Sequence, residues 1–578
     1  MYVGAIVRSC NGGGERPFLT PCYAWVAGGV RGMGIHLSDT RSTDHLVSEA
    51  SDGRTAPGRR RLGRLISFAD RHRYLLASSV LVVLMSSQTL NQQWSSDFWE
   101  HSAVVREFST HLLHPHHPLL LVDATHPYFS PYTLAVGMLA RLVGIGPLGA
   151  LSVAAILNLL FFLIAFRLFV TRLVTSPLAP FYALVFTLVL WGLAPWRWSG
   201  FLNLNSIGFG LPYPSMFAIA VGLLSLWALD VYLKGHRLVW LLVTVVSGAV
   251  VVLTHPITAI TVAVGGAALV VSRLDRRSWR LLAPLLGAAV LVLVLVLAWP
   301  YYSLLDLLSQ SSIYTVSHDA MYQGILQRIF PALFAVPLIA QRVRANRRDP
   351  LALMLAGGFA VFVWGGLSGN LTYGRILSFL VLLLHIALAG WFADLEQRVR
   401  HGSDRASAAA AAYGGLALLL IIGVVGVSPG LLRTIPSSLL PESLRSDARL
   451  GKVSDRYGFL GDCTGQYDVI LTDLGFSSLA VPTFGGKVVS TGYPIPFVGD
   501  KATRDEDVER FFRPNATTTD RLAILAKYHV SYLLVEQAQL DSLRIAAGTW
   551  DYLSRLVAEH DGLVLVAVGT APKAQCRA

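Results

Sequence analysis

The chain has 578 residues, 53% of them apolar and 14% charged, with a mean hydropathy of +0.54. A soluble globular protein carries about 25% charged residues, so a cytosolic enzyme, a disordered scaffold and a small secreted module are excluded and a multi-span membrane protein is implied. The basic excess is uneven: residues 430–578 hold 16 Lys and Arg against 17 Asp and Glu, net −1, whereas residues 1–429 hold 31 against 18, net +13. The arginines stand in short clusters between apolar runs, as in cytoplasmic loops, so no nucleic-acid partner is expected.

Residues 1–58 are rich in Gly, Ser, Arg and Thr without a period and predict a disordered cytoplasmic N-terminal tail. Residues 59–429 predict the membrane part. A span needs about 20 apolar residues, and eleven runs are candidates: 74–92, 147–169, 178–196, 214–233, 238–254, 257–273, 282–299, 326–341, 350–367, 375–394 and 409–427. One further run, Pro131 to Gly144, reaches only about 21 Å as a helix against a hydrocarbon core of about 30 Å. If that run is re-entrant or interfacial, the basic clusters at 59–73, 167–172, 234–237, 273–280, 342–348 and 398–405 all fall on one side. The positive-inside rule then predicts a cytoplasmic N-terminus and an outside C-terminus.

The loops on the other side are poor in Lys and Arg and rich in Trp, Tyr, His, Pro, Asn and Asp. The first opens SSDFWEHSAVVREF, with Asp97, Glu100, His101 and Glu107 just beyond the first span. Residues 103–113 predict an amphipathic helix on the membrane interface with Val104, Val105, Phe108 and Leu112 toward lipid. Asp97 is a candidate general base for an acceptor hydroxyl, since partial desolvation raises a carboxylate's pKa toward working pH. Glu100 and His101 would orient it or hold a divalent cation, Mg²⁺ or Mn²⁺, with it. An ordinary polar helix cap is the other reading of these residues.

The same loop carries His111, His114, His116, His117 and His126. Prolines hold HPHHP extended, and no Cys or regularly spaced acid completes a tetrahedral set, so no metal site is expected. His126 and Tyr128 in THPYFSPY are candidates for substrate contact, with Tyr128 or Phe129 stacking on a sugar ring. Trp198 and Tyr213 read mainly as interfacial anchors. His255 beside Pro256 interrupts an apolar stretch and needs a partner or caps a helix. Arg375 sits at the mouth of a span on the cation-poor side, where a guanidinium suits phosphate through paired hydrogen bonds.

Residues 430–578 change character. YDVILTD (467–473), KVVST (487–491), VSYLLVE (530–536) and LVLVAVG (563–569) predict buried strands, and 503–513 and 518–529 predict helices. Such alternation implies a small α/β domain with parallel pairing, and no GxGxxG or Walker pattern supports nucleotide binding. Of the four cysteines, Cys463 and Cys576 lie in this tail. They can pair in an oxidising compartment, stapling its start to its end, or remain two free thiols.

An acid just after the first span (Asp97 in SDFWEH), a long first outer loop ending in THPYFSPY, about a dozen spans and a terminal domain outside together resemble the polytopic glycosyltransferases of the GT-C fold. That group includes protein mannosyltransferases, aminoarabinose transferases and mycobacterial arabinofuranosyltransferases. The tail resembles the α/β C-terminal domain of bacterial membrane proteins in this group through ILTD, PTFGGKVVST, RDEDVERFF and KYHVSYLLVE. The resemblance implies an extracytoplasmic site in a bacterial plasma membrane, with Asp97 as catalytic base in an inverting displacement. The implied donor is a polyprenyl-phosphate-linked sugar whose phosphate meets Arg375, and the acceptor a hydroxyl on a cell-envelope glycan, lipid or protein. One departure is that protein mannosyltransferases usually show a second acid adjacent to or one residue away from the first, whereas here the next acid is Glu100. A transporter or flippase of lipid-linked sugars, or a noncatalytic membrane scaffold, is the alternative class.

Overall fold

The computed structural model describes residues 72–578 apart from 91–93, 95–96, 274–277, 311–315, 403–405, 436–438, 442–452, 548–554, 570–575 and 577–578. The predicted N-terminal tail, the arginines of 59–71, Arg276, Arg277 and Arg405 lie outside the described residues.

Each of the eleven apolar runs contains a helix, but 190–196 of the third run are irregular and 326–341 divides into two helices. The helices are α1 (Arg73–Leu90), α2 (Phe98–Thr110), α3 (Pro131–Val143), α4 (Pro147–Leu173), α5 (Ala179–Val189), α6 (Leu204–Gly210), α7 (Pro214–Gly235), α8 (Leu238–Thr254), α9 (Pro256–Arg273), α10 (Leu282–Leu297), α11 (Ile325–Leu333), α12 (Val336–Ala345), α13 (Pro350–Ser368), α14 (Leu377–Arg400) and α15 (Ala406–Leu432). Among the described residues seven helices are long and apolar enough to cross a bilayer, and the apolar stretch through α11 and α12, bent by 62°, makes an eighth if counted as one span. Helix α10 is apolar all round, with Leu286 66% and Val290 60% exposed, which only a lipid environment accommodates. The protein is a membrane protein.

Proline at the first helical position starts α3, α4, α7, α9 and α13, where its missing N–H costs nothing. Helix α15 closes the bundle through Gly423, Gly426 and Gly430. A Cβ at each would collide with the backbone of Val189, Gly192 and Leu204, respectively, so the stripe permits backbone-to-backbone approach.

The basic residues converge at one end of the bundle. There Asp230 meets Lys234 at 2.8 Å, Arg273 at 3.1 Å and Arg172 at 3.7 Å. Glu396 meets Arg400 at 2.6 Å and Arg73 at 2.9 Å, and Arg342 bridges Asp349 and the Leu173 carbonyl. Helix α3 does not reach that end. A capping box of Ser130 and Thr133 starts it, left-handed Gly144 ends it, and Tyr132, Val136, Ala140, Ile145 and Leu148 all pack into one cluster at the opposite end.

On that opposite end sits a five-stranded sheet of β1 (Val469–Leu471), β2 (Lys487–Val488), β3 (Val530–Glu536), β4 (Arg555–His560) and β5 (Leu563–Ala567), in the order β2-β1-β3-β5-β4. The predicted parallel pairing holds for β2, β1 and β3, but β5 runs antiparallel to β3 and β4 antiparallel to β5. The reason is the two-residue turn at Asp561 and Gly562, both with positive φ, which forces a hairpin rather than a crossover. Strand alternation sends Leu471, Leu533, Val535, Val564 and Val566 to one face, covered by α17 (Lys501–Phe512), α18 (Thr518–Lys527) and α19 (Gln537–Ala547). The other face, through Ile470, Val488, Leu534 and Leu565, packs on Trp99 and Val105 of α2. A further helix, α16 (Phe476–Phe484), lies between β1 and β2. Cys463 and Cys576 are joined by a disulfide.

The amphipathic helix expected at 103–113 is therefore corrected twice. It spans Phe98–Thr110, and Val104, Val105 and Phe108 are buried in protein rather than turned to lipid. Val104 and Phe108 pack on Phe129, and Val105 on the sheet side. Gly137 lets α3 cross α2 closely, since a Cβ there would strike Phe108.

Candidate active site

Helix α2 begins at Asp97, whose side chain does not cap its own helix. Two tyrosines occupy the helix start instead. Tyr213 stands beside Asp97, and Tyr493, reaching over from the tail, stands beside Asp97 and Glu100. Asp97 stays 34% exposed, and His101, one turn on and only 3% exposed, brings Nε2 to 3.9 Å from Asp97 Oδ2. The His101 ring packs on Tyr128 at 4.4 Å and Tyr213 at 5.3 Å between centroids.

Behind this layer Glu100 and His126 are both buried, with Nε2 to Oε1 at 3.2 Å. His126 Nδ1 accepts the Tyr128 N–H, which leaves the proton of a neutral ring on Nε2, facing Glu100. Burial, seconded by the Asp97 charge, pushes the Glu100 carboxyl well above the usual range. Burial also pushes His126 well down and His101 to about 4. Glu100, His101 and His126 are thus all held toward their neutral forms, and Asp97 is the solvent-open acid of the group.

Between α7, α9 and α14 lies a narrow hollow of about 40 Å³, lined by His255 and Arg375. Ser199, His255, Thr258 and Arg375 give it a polar side, and Leu226, Val262, Phe379 and Leu382 an apolar one. Arg375 Nη2 donates to the Ser199 carbonyl at 2.6 Å and hydroxyl at 3.2 Å. The guanidinium lies within electrostatic reach of Asp97 and Tyr128 and of His255. His255 also caps α9, its Nδ1 2.8 Å from Thr258 Oγ1 and accepting the Thr258 N–H.

The structure therefore puts His255 and Arg375 in one hollow, with Asp97 and Tyr128 within electrostatic reach of the guanidinium, His101 beside Asp97, and Glu100 and His126 paired behind. Phe129 is 1% exposed, enclosed by Val104 and Phe108, and offers no face to a ligand. Asn203 is buried and donates to the Trp196 carbonyl, a structural role. Arg375 is not the sole arginine of this end: Arg106 donates to the Pro482 and Gly485 carbonyls, Arg328 to that of Ala194, and Arg433 to Asn205. Arg375 differs in lining the cavity. Sequence reasoning missed Ser199 and Tyr493, whose neighbours carry no motif. It also missed a grouping of Glu107, His111 and His116, the one set of three metal-capable side chains found among the described residues. The acid thought absent from the histidine loop lies on α2, four residues before His111.

No protein-family model matches the chain, and no curated protein matches it in sequence. Solved structures do. ArnT from Cupriavidus metallidurans, bound to undecaprenyl phosphate, superposes with a TM-score of 0.51 at 15% identity over 86% of this chain and 98% of that one. The arabinofuranosyltransferase AftD from Mycobacteria gives a TM-score of 0.52 at 14% identity over 86% of this chain but 42% of AftD, so the chain spans less than half of AftD's length. At such identities the likeness is one of fold, and the chain has the fold of the GT-C membrane glycosyltransferases.

Proposed function

We propose that the protein is a membrane glycosyltransferase that moves a sugar from a polyprenyl-phosphate donor to an acceptor hydroxyl outside the cytoplasm. In this reading the cation-clamped end of the bundle faces the cytoplasm, as the positive-inside rule favours. Residues 430–578 then form an extracytoplasmic domain on a bacterial plasma membrane, and 59–429 the membrane domain. The observation that carries the proposal is Arg375, lining a hollow with one polar and one apolar side and lying within electrostatic reach of Asp97, an arrangement that suits a lipid phosphate. The likeness to ArnT with undecaprenyl phosphate supports the donor class.

The acceptor hydroxyl loses its proton to the Asp97 carboxylate as its oxygen bonds to the anomeric carbon. The bond from that carbon to the phosphate oxygen breaks from the opposite face, inverting the configuration. The polyprenyl phosphate leaves with the electron pair, and Arg375 takes up the developing charge. Tyr213 orients Asp97, while Glu100 and His126, neutral and buried, hold the start of α2 without competing for the proton.

The test is transfer by the full chain in liposomes supplied with labelled polyprenyl-phosphate sugars and envelope acceptors. Asp97→Asn is expected to lower transfer by about 10²–10⁴-fold, the usual worth of a general base, with the melting temperature unchanged. Full activity in that variant removes Asp97 from the mechanism. Passage of intact donor across the bilayer without a new glycosidic bond would instead favour a flippase.

A further inference from the structure

The seam between α2 and the tail holds a second constellation that the transfer chemistry does not use. Glu107 has a side chain 1% exposed. Its Oε1 lies 3.0 Å from His111 Nδ1 and 3.2 Å from His116 Nδ1. Its Oε2 takes Lys487 Nζ at 2.9 Å and Gln466 Nε2 at 3.2 Å. The Tyr467 hydroxyl stands 3.2 Å from His111 Nε2 and 3.2 Å from His116 Nδ1.

We propose that Glu107, His111 and His116 form a zinc site that clamps the first loop to the C-terminal sheet. Zn²⁺ binds imidazole nitrogen and carboxylate oxygen at about 2.0–2.2 Å, which puts tetrahedral ligands about 3.3 Å apart, and the two nitrogens already stand at nearly that separation from Oε1. Two nitrogen donors favour Zn²⁺ over Mg²⁺, which prefers an all-oxygen shell. Glu107 and His111 are one turn apart on α2, and Pro115 and Pro118 bracket His116, so the ligands come from a helix end and a stiffened loop. His116, Tyr467 and Lys487 border a solvent-open hollow of about 680 Å³, from which water or the Tyr467 hydroxyl can complete the shell. Lys487, donating also to the His117 and Pro118 carbonyls, fixes the free carboxylate oxygen. Its charge opposes the cation and makes the site weaker than an all-cysteine one.

Ten residues of helix separate Glu107 from Asp97, about 15 Å of rise. The metal would thus be a fastener of the domain seam rather than a participant in sugar transfer, and the inference stands apart from the proposed activity. The experiment is metal analysis and thermal unfolding of the untagged full chain, stripped with chelator, desalted and titrated with ZnCl₂ or MgCl₂. Wild type is expected to retain one Zn²⁺ per chain and to melt several degrees higher with zinc but not with magnesium. Half-exposed His116→Ala is expected to lose both effects, and His114→Ala, exposed and outside the cluster, to keep them. Failure of wild type to retain zinc, or retention undiminished in His116→Ala, overturns the site.

Discussion

Where α7 and α14 finish, buried acids are saturated with cations: Asp230 has three partners and Glu396 two arginines plus the Tyr182 hydroxyl. Where α2 begins, Asp97 and Glu100 have no Lys or Arg within ion-pair distance among the described residues, and meet imidazoles and phenols instead. A buried acid ringed by arginines is fixed in its charged form and tied to one geometry. An acid facing weakly polar partners keeps free energy in reserve for a ligand, the usual signature of a working site. The bundle is fastened at one end and left chemically unsatisfied at the other.

The sharpest way to break this contrast is to neutralise one acid at each end. Asp230→Asn leaves Arg172, Lys234 and Arg273 crowded without a counter-charge and is expected to cost about 3–5 kcal/mol, the usual penalty for orphaned buried charge. Asp97→Asn should change stability by no more than about 0.5–1 kcal/mol. Chemical unfolding of both variants in detergent measures this, and equal losses would dissolve the distinction between the two ends.

Acid should act next, through the histidines. In the unfolded chain His101 and His126 take up a proton near pH 6.5, whereas burial depresses both in the folded chain, His101 to about 4. Their contribution is therefore complete above about pH 6.5 and is lost as the pH falls toward the folded values, on the order of 1 kcal/mol per pH unit for each ring. Melting temperature followed from pH 7 to 4.5 should fall, and less steeply in His126→Gln. A flat profile would mean that these rings titrate in the fold as they do in the unfolded chain.

The smallest effect is expected from Tyr493→Phe, which removes a tail hydroxyl from beside Glu100 at the start of α2 and should cost no more than about 1 kcal/mol of stability. Because that hydroxyl comes from the tail, transfer should fall several-fold more than this stability loss explains. Unchanged transfer rates in liposomes would show that the tail does not position α2.

Much of the membrane part was readable because a bilayer imposes its own length rule: each of the eleven apolar runs contains a helix, and Arg73, Arg172, Lys234, Arg273, Arg342 and Arg400 gather at one end. The site was readable in part. Asp97 and Arg375 stood out as charges beside apolar boundaries, and they lie within electrostatic reach of one another. Glu100 and His126 stood out as polar loop residues but turned out to be a buried pair. The burial of Val104, Val105 and Phe108 was not readable, since an apolar stripe specifies only that water is excluded, and protein and lipid exclude it equally well.

Composition, apolar run length and the placement of arginines were enough to determine a polytopic membrane protein with a small α/β tail, because hydrophobic burial in a bilayer acts on each segment separately. Only the tertiary structure decided that Leu120 pairs with Val488 at the edge of the sheet, that Lys487 meets Glu107 across 380 residues of chain, and that Tyr493 reaches the start of α2. Such contacts depend on distant segments meeting with their hydrogen-bonding groups matched, and no local pattern encodes which buried donor will find which acceptor.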